Sequence, residues 1–210
     1  MTDKRAISVG QLLRKKFKTL PFEGKWKGAI GIPEANGVWL IWGNSGNGKT
    51  RFSLMLAAYL AQFGKVAYDT LEEGARFSFQ RAIQASNFDI KPGQFVILNR
   101  EPMKALVERL QKRRSPDIVI IDSLQYSFLN RRTYFDLKAK LPNKLIIFIS
   151  HASGKEPDGD LAKKVRFDAD VKIWVEGYKA FITSRYGGGE PITIWKEGAE
   201  TYWGDNNDNN

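Results

Sequence analysis

Eight consecutive residues, Gly43-Asn44-Ser45-Gly46-Asn47-Gly48-Lys49-Thr50, have the types and spacing of a loop that wraps phosphate groups. Glycines let the backbone curl so that successive N–H groups point inward, and a following helix would add the partial positive charge of its N-terminus. Lys49 would reach the β- and γ-phosphates, the Thr50 hydroxyl would be a magnesium ligand, and Arg51 joins the loop as a nucleotide contact. The chemistry expected is binding of Mg-ATP.

Phosphoryl transfer also needs carboxylates at defined places. Asp122 ends the apolar run Ile118–Ile121; on a strand beside the loop strand it would face the magnesium. Glu72 and Glu73 end another strand-like run, where a carboxylate can orient water toward the γ-phosphorus. Position alone leaves the pair open, Glu72 being nearer the strand end; both would also suit the N-terminus of a helix. His151 follows a fourth apolar run and can hydrogen-bond a γ-phosphate.

These residues need elements to hold them. Gly37–Gly43 is an apolar run bounded by glycines, a buried strand. Phe52, Met55, Leu56, Tyr59, Leu60 and Phe63 share one helix face, with Gly64 as its stop. Strands are expected over 65–71, 95–98, 117–122 and 144–150, and helices over 74–86 and 102–113. The runs 171–175, 179–183 and 191–195 alternate in polarity and lie close together, as antiparallel hairpins do. The fold class is therefore α/β, a three-layer αβα arrangement with a mostly parallel central sheet extended by C-terminal antiparallel strands.

Upstream, Ser8 and Gln11 form a capping box for a short helix with apolar Val9, Leu12, Leu13, Phe17 and Leu20 and basic Arg14, Lys15, Lys16 and Lys18. Residues 21–36, with Pro and Gly, are expected to be an irregular lead-in. The domain organisation expected is a basic helix and lead-in over 1–36, an ATPase core over 37–203, and a disordered Asp/Asn-rich tail over 204–210.

The whole chain narrows the partners. Its 210 residues suit one core, with 42% hydrophobic and 27% charged residues. It has no cysteine, which excludes disulfides and thiolate metal sites, and one histidine, which excludes a multi-histidine site. Apolar runs are strand-length and Met1–Arg5 is polar, so neither a membrane span nor a secretory segment is expected; the localisation expected is cytoplasmic. Net charge is +10, which favours polyanions, nucleic acid first. The surplus is uneven: residues 1–30 carry eight Lys/Arg against two acids, and 112–166 twelve against six.

Taken together, several segments resemble the RecA/RadA/DnaB-type ATPases, over roughly 37–195. They are the phosphate loop, VAYDTLEEG (66–74), IVIIDSLQ (118–125), IFISHASGK (147–155), and ADVKIWVEG (169–177) with TSRYGGG (183–189). The resemblance implies that Glu72 is the catalytic carboxylate, that His151 senses the γ-phosphate, and that Arg185 acts as an arginine finger in a neighbouring subunit's site. Thr183 departs from the RadA-like motif, which has lysine there. A core this bare is similar to short recombinases of phages and mobile elements, which pair single strands. A helicase-like motor, an ATP-dependent signalling module without DNA and a small-molecule kinase are the alternatives.

In that architecture the segments 124–140 and 152–166 face the axis of a ring or filament, and a homo-oligomer is implied. Tyr126, Phe128 and Tyr134 interleave with Arg131 and Arg132 in the first. Lys155, Lys163, Lys164 and Arg166 lie in the second, a Gly/Asp-rich setting expected to be flexible. Aromatic and basic residues together suit single-stranded DNA, with bases stacked and phosphates neutralised.

Overall fold

The computed structural model describes residues 6–86 and 91–204. The expectations for Met1–Arg5 and for the tail from 205 onward fall outside these residues.

Five parallel pairings build the centre of the sheet. Strands β1 (Gly37–Trp42), β2 (Val66–Thr70), β3 (Phe95–Leu98), β4 (Ile118–Asp122) and β5 (Leu145–Ser150) match the expected apolar runs to within a residue or two. A two-stranded hairpin, β6 (Ala152–Ser153) and β7 (Glu156–Pro157), follows β5. Strand β8 (Val171–Glu176) runs parallel to β1, and β9 (Lys179–Ser184) and β10 (Ile192–Thr193) return antiparallel. The eight-stranded order is β10-β9-β8-β1-β5-β4-β2-β3.

That order corrects one expectation. Asp122 does not lie on a strand beside β1: β5 pairs with both β1 and β4 and stands between them. The consequence is chemical. Ser150 and His151, leaving β5, occupy the space between the phosphate loop and Asp122.

Helices cover both faces, which is why the strands are apolar throughout. On one face Trp39 and Ile41 of β1 pack with α2 (Gly24–Ile30) and α3 (Lys49–Leu60), and Tyr68 meets Phe79 of α4 (Phe77–Ala85). On the other, Val38, Leu40 and Trp42 belong to the cluster filled by α5 (Met103–Gln111), α6 (Arg131–Lys140) and α7 (Asp160–Asp168). The period-two alternation of a strand sends neighbouring residues of β1 to opposite layers.

Several elements differ from expectation. The segment 21–36 is not irregular: α2 buries Trp26, Ala29 and Ile30, spaced i, i+3, i+4, and Leu20 and Phe22 join the same cluster. Its Pro and Gly flank the helix. Helix α3 ends at Leu60, before Gly64, and Phe63 packs from the turn. Strand β10 is two residues, because the chain turns at Trp195 into α8 (Lys196–Trp203), a helix not expected from the sequence.

The capping box of α1 (Val9–Arg14) forms, with Gln11 N–H donating to Ser8 Oγ at 3.2 Å and Ser8 N–H donating to Gln11 Oε1 at 2.8 Å. Yet α1 buries nothing: Val9, Leu12 and Leu13 are exposed, Phe17 lies beyond the helix, and of the five expected apolar residues Leu20 alone is buried. Among the described residues no helix is long and apolar enough to cross a membrane.

Candidate nucleotide site

Strand β1 ends at Trp42 and delivers Gly43 into a crowded corner. A Cβ on Gly43 would stand 2.1 Å from the Val175 carbonyl oxygen of β8, so nothing larger than glycine fits. Gly48, at φ 98°, is the left-handed N-cap from which α3 starts. Between them the loop is tied at both sides. Asn47 Oδ1 accepts the Gly177 N–H at 2.7 Å and its carbonyl accepts the Tyr178 N–H at 3.2 Å, in the β8–β9 turn. On the other side Asn44 Nδ2 donates to Gly154 O at 3.4 Å, and Trp42 Nε1 to Lys155 O at 3.0 Å, at the β6–β7 tip. Ser45 and Gly46 form the exposed crest.

Lys49 is the first residue of α3. Its Nζ donates to Asn44 O at 2.9 Å, back across the loop. Burial holds its pKa below the usual lysine value, opposed by the charges of Asp122 and Glu72. Arg51, two residues on, is exposed, with its guanidinium 5.9 Å from the centre of the Trp195 ring.

Asp122 is fixed by a chain of hydroxyls. Tyr68 Oη on β2 donates to Asp122 Oδ2 at 2.6 Å, Ser53 Oγ lies 3.0 Å from Tyr68 Oη, and Ser53 Oγ donates to Thr50 O at 2.9 Å. The two residues expected to serve magnesium, Thr50 and Asp122, are thus linked through the core. Burial lifts the Asp122 carboxyl to about 6; Glu72 adds to that push, and the Tyr68 hydrogen bond and Lys49 oppose it. A hydroxyl and a carboxylate are hard oxygen donors that fit magnesium, which keeps most of its waters and takes the rest from phosphate. Among the described residues no group of three or more acidic, histidine or cysteine side chains forms a protein cage, which suits the same ion.

Glu72 leaves β2 and meets two partners: Ser123 Oγ donates to its Oε2 at 3.0 Å, and His151 Nε2 lies 2.8 Å from the same oxygen. Glu73 turns elsewhere and accepts the Ser78 hydroxyl beside α4. Gln125, in the 3-10 turn Leu124–Ser127, completes the arrangement. Its Nε2 donates to Ser150 Oγ at 2.9 Å and Asp158 O at 3.0 Å, and its Oε1 accepts the His151 N–H at 3.3 Å. Tyr68, Ser53, Ser123 and Gln125 are additions that the sequence reading missed. One signal was available: Tyr68 is a polar-tipped residue inside an otherwise buried strand.

No family model matches the chain. Over 86 residues, 41% of the chain, it is 36% identical to the DNA repair protein RadA of Streptococcus pneumoniae (strain ATCC BAA-255 / R6), and the match spans 20% of that protein's length. Among solved structures, the ATPase domain of a DnaB-like protein aligns with a TM-score of 0.53 at 17% identity, covering 75% of this chain and 80% of that one. The flagellar accessory protein FlaH from Methanocaldococcus jannaschii aligns with a TM-score of 0.58 at 17% identity, covering 85% and 97%. The chain has a RecA/RadA/DnaB-type P-loop ATPase core.

Arg185 stands apart from this core's own nucleotide site. Trp42 pairs with Trp174 at the phosphate-loop end of the sheet, whereas Ser184 pairs with Val171 at the other end. There Arg185 N–H donates to Asp170 O at 3.0 Å and its Nη1 lies 3.4 Å from Asp170 Oδ1.

The segments expected as DNA-facing loops are mostly helical in this ATPase core. Residues 124–140 form the 3-10 turn and α6, because Asn130 and Thr133 make a capping box and Tyr134 and Leu137 bury one face. Residues 152–166 form the β6–β7 hairpin and most of α7, not a flexible stretch. Arg131 and Arg132 open α6, exposed, and Lys163 is exposed on α7. Lys164 lies over the rings of Phe135 and Phe167, at 5.8 and 5.3 Å. Leu129, Arg131, Leu161, Lys163, Lys164 and Phe167 line a groove of about 650 Å³. Two of the expected residues are engaged with the protein: Lys155 sits 5.7 Å above the Trp174 ring, and Arg166 is ion-paired with Glu156 and 5.2 Å above Trp42.

Proposed function

We propose that this chain hydrolyses ATP with magnesium at the Gly43–Thr50 site and uses the nucleotide state to act on single-stranded DNA, in recombination, annealing or pairing. The observation that carries the reading is the convergence of Lys49, Asp122, Glu72 and His151 from α3, β4, β2 and β5 at one end of the sheet. The loop N–H groups and Lys49 bind the phosphates. Thr50 and Asp122 hold magnesium, which neutralises charge on the β- and γ-phosphates. Glu72 accepts a proton from the attacking water. His151 holds Glu72 until a γ-phosphate competes for the same imidazole and frees the carboxylate. Catalysis in this scheme comes from positioning and charge, as phosphoryl transfer requires.

The DNA part rests on the basic, aromatic face of α6 and α7, and on a partial relative named a DNA repair protein. The net charge of +10 supports it. The assembly part rests on two surfaces. Arg185, remote from its own phosphate loop, can serve a site only in another copy, and the exposed apolar side of α1 lacks cover among the described residues. Such head-to-tail contacts close into a ring or continue as a filament. In this reading residues 37–203 do the nucleotide work, residues 1–36 contribute to assembly, and the protein works in the cytoplasm.

ATP turnover measured with and without an oligodeoxythymidine, across a salt series, tests the proposal. Stimulation by DNA is expected, with binding that weakens steeply as salt rises. Turnover indifferent to DNA, with no salt-dependent binding, would favour an ATP-dependent module that binds proteins. DNA-stimulated unwinding of a duplex would favour the helicase-like motor.

A further inference from the structure

We propose that Arg100 is a positioning residue for hydrolysis: it clamps the backbone that carries Glu72. The inference rests on the reading of Glu72 as the carboxylate that activates water. Arg100 lies on the loop between β3 and α5, far from the phosphate loop in sequence. Its Nη2 donates to the carbonyl oxygens of both Glu72, at 3.0 Å, and Glu73, at 3.2 Å. Its neighbour Asn99 takes the next free donor, with Ala75 N–H donating to Asn99 Oδ1 at 2.9 Å. The loop after β2 is therefore held at three points by two adjacent side chains.

Both sides of the contact are shaped for it. Gly74, at φ 73°, has Arg100 Nε 3.0 Å and Asn99 Oδ1 3.2 Å from where a Cβ would be, so the guanidinium and the amide lie against bare backbone. Arg100 itself has φ 56°, in the left-handed region that a non-glycine residue enters at a cost. Such a conformation persists where the surroundings over-determine it. Here they do. Glu101 N–H donates to Oδ1 of the fully buried Asp69 at 3.0 Å, and Arg109 Nε bridges both Glu101 carboxylate oxygens at 2.9 and 2.8 Å. The clamp is anchored from β2 and from α5 at once.

The chemistry follows from the two carbonyls. Fixing the carbonyls of Glu72 and Glu73 fixes the plane of the intervening peptide, and with it the direction in which Glu72 leaves the strand. Glu72 must meet Ser123, His151 and a water in turn, so a small rotation of that peptide would misplace its carboxylate. An exposed guanidinium that touches no reacting group would then govern the chemical step.

Single-turnover hydrolysis and binding of a fluorescent ATP analogue, measured on Arg100→Ala, Asn99→Ala, Glu72→Gln and the Arg100→Ala/Glu72→Gln double variant, test this. Arg100→Ala should slow hydrolysis by roughly tenfold to a hundredfold, the scale of a slightly misplaced catalytic group, with analogue affinity and Tm close to wild type. Asn99→Ala should act in the same direction and less. In the Glu72→Gln background Arg100→Ala should slow nothing further, because it acts through Glu72. Wild-type hydrolysis in Arg100→Ala beside a dead Glu72→Gln would overturn the clamp alone. So would a full, additive loss in the double variant, or a loss of analogue affinity that accounts for the slowing. Wild-type hydrolysis in Glu72→Gln would overturn the reading of Glu72, and the clamp with it.

Discussion

The phosphate-loop end and the basic face of α6 and α7 are built on different principles. At the loop end each polar side chain has a defined partner: Asn47 on Gly177, Tyr68 on Asp122, Glu72 on Ser123 and His151, and Gln125 on three groups. On the basic face Arg131, Arg132 and Lys163 project from helix surfaces, and Lys164 rests on exposed rings. The first region depends on geometry, so one wrong atom is costly. The second depends on summed charge and stacking surface, so losses there should be gradual and nearly additive.

Substitutions can break that contrast. Lys49→Ala should have the largest effect, lowering ATP turnover by about a hundredfold or more, since it removes the cation that meets the β- and γ-phosphates. Steady-state phosphate release measures it, and turnover within a few-fold of wild type would remove the contrast at its strong end. Gly43→Ala should come next. A Cβ at 2.1 Å from Val175 O must push β1 and β8 apart, and urea unfolding should show a loss of about 1–3 kcal/mol. Lys163→Ala and Lys164→Ala should leave turnover without DNA unchanged while each lowers the log–log salt slope of single-strand binding by about one. An abrupt loss of all binding from either would mean that this face, too, is a geometric site.

The smallest effect expected lies beneath the loop end, at Asp69. Burial, with the nearby charge of Glu101 adding to it, lifts its pKa from 3.8 to about 6, while the Glu101 N–H and Arg109 oppose the rise. Its Oδ2 has no hydrogen-bond partner among the described residues. A carboxyl whose pKa is raised on folding binds its proton more tightly in the folded state. Its contribution to stability is therefore greatest below its unfolded value and is lost as pH rises through about 6. Asp69→Asn should flatten the stability profile between those limits by about 1 kcal/mol, measured by urea unfolding across pH.

The same contrast explains what could be read from residues alone. Gly43–Thr50, Asp122, Glu72 and His151 sit at the ends of short, apolar strands, and strand ends are punctuated by glycine, charge and chain polarity. Those positions were legible because both faces of the sheet are buried and each strand reads as an unbroken run. The order of strands was not legible, since hydrogen bonding between strands leaves no local mark; β5 therefore appeared between β1 and β4 only in the fold. The loops of the basic face were misread for a related reason. Helix α6 begins with two arginines and α7 follows a Gly/Asp-rich turn, so charge and turn residues masked the apolar spacing of Tyr134 with Leu137 and of Ala162 with Val165. Helix α2 was hidden in the same way by the Pro and Gly around it.

The most direct test of the nucleotide site compares Glu72→Gln with Glu73→Gln, each assayed for ATP-analogue binding and for hydrolysis. The structure gives Glu72 to His151 and Ser123, and Glu73 to Ser78. Glu72→Gln should bind the analogue and fail to hydrolyse ATP, while Glu73→Gln should do both. Hydrolysis retained in Glu72→Gln, or lost in Glu73→Gln alone, would contradict the account.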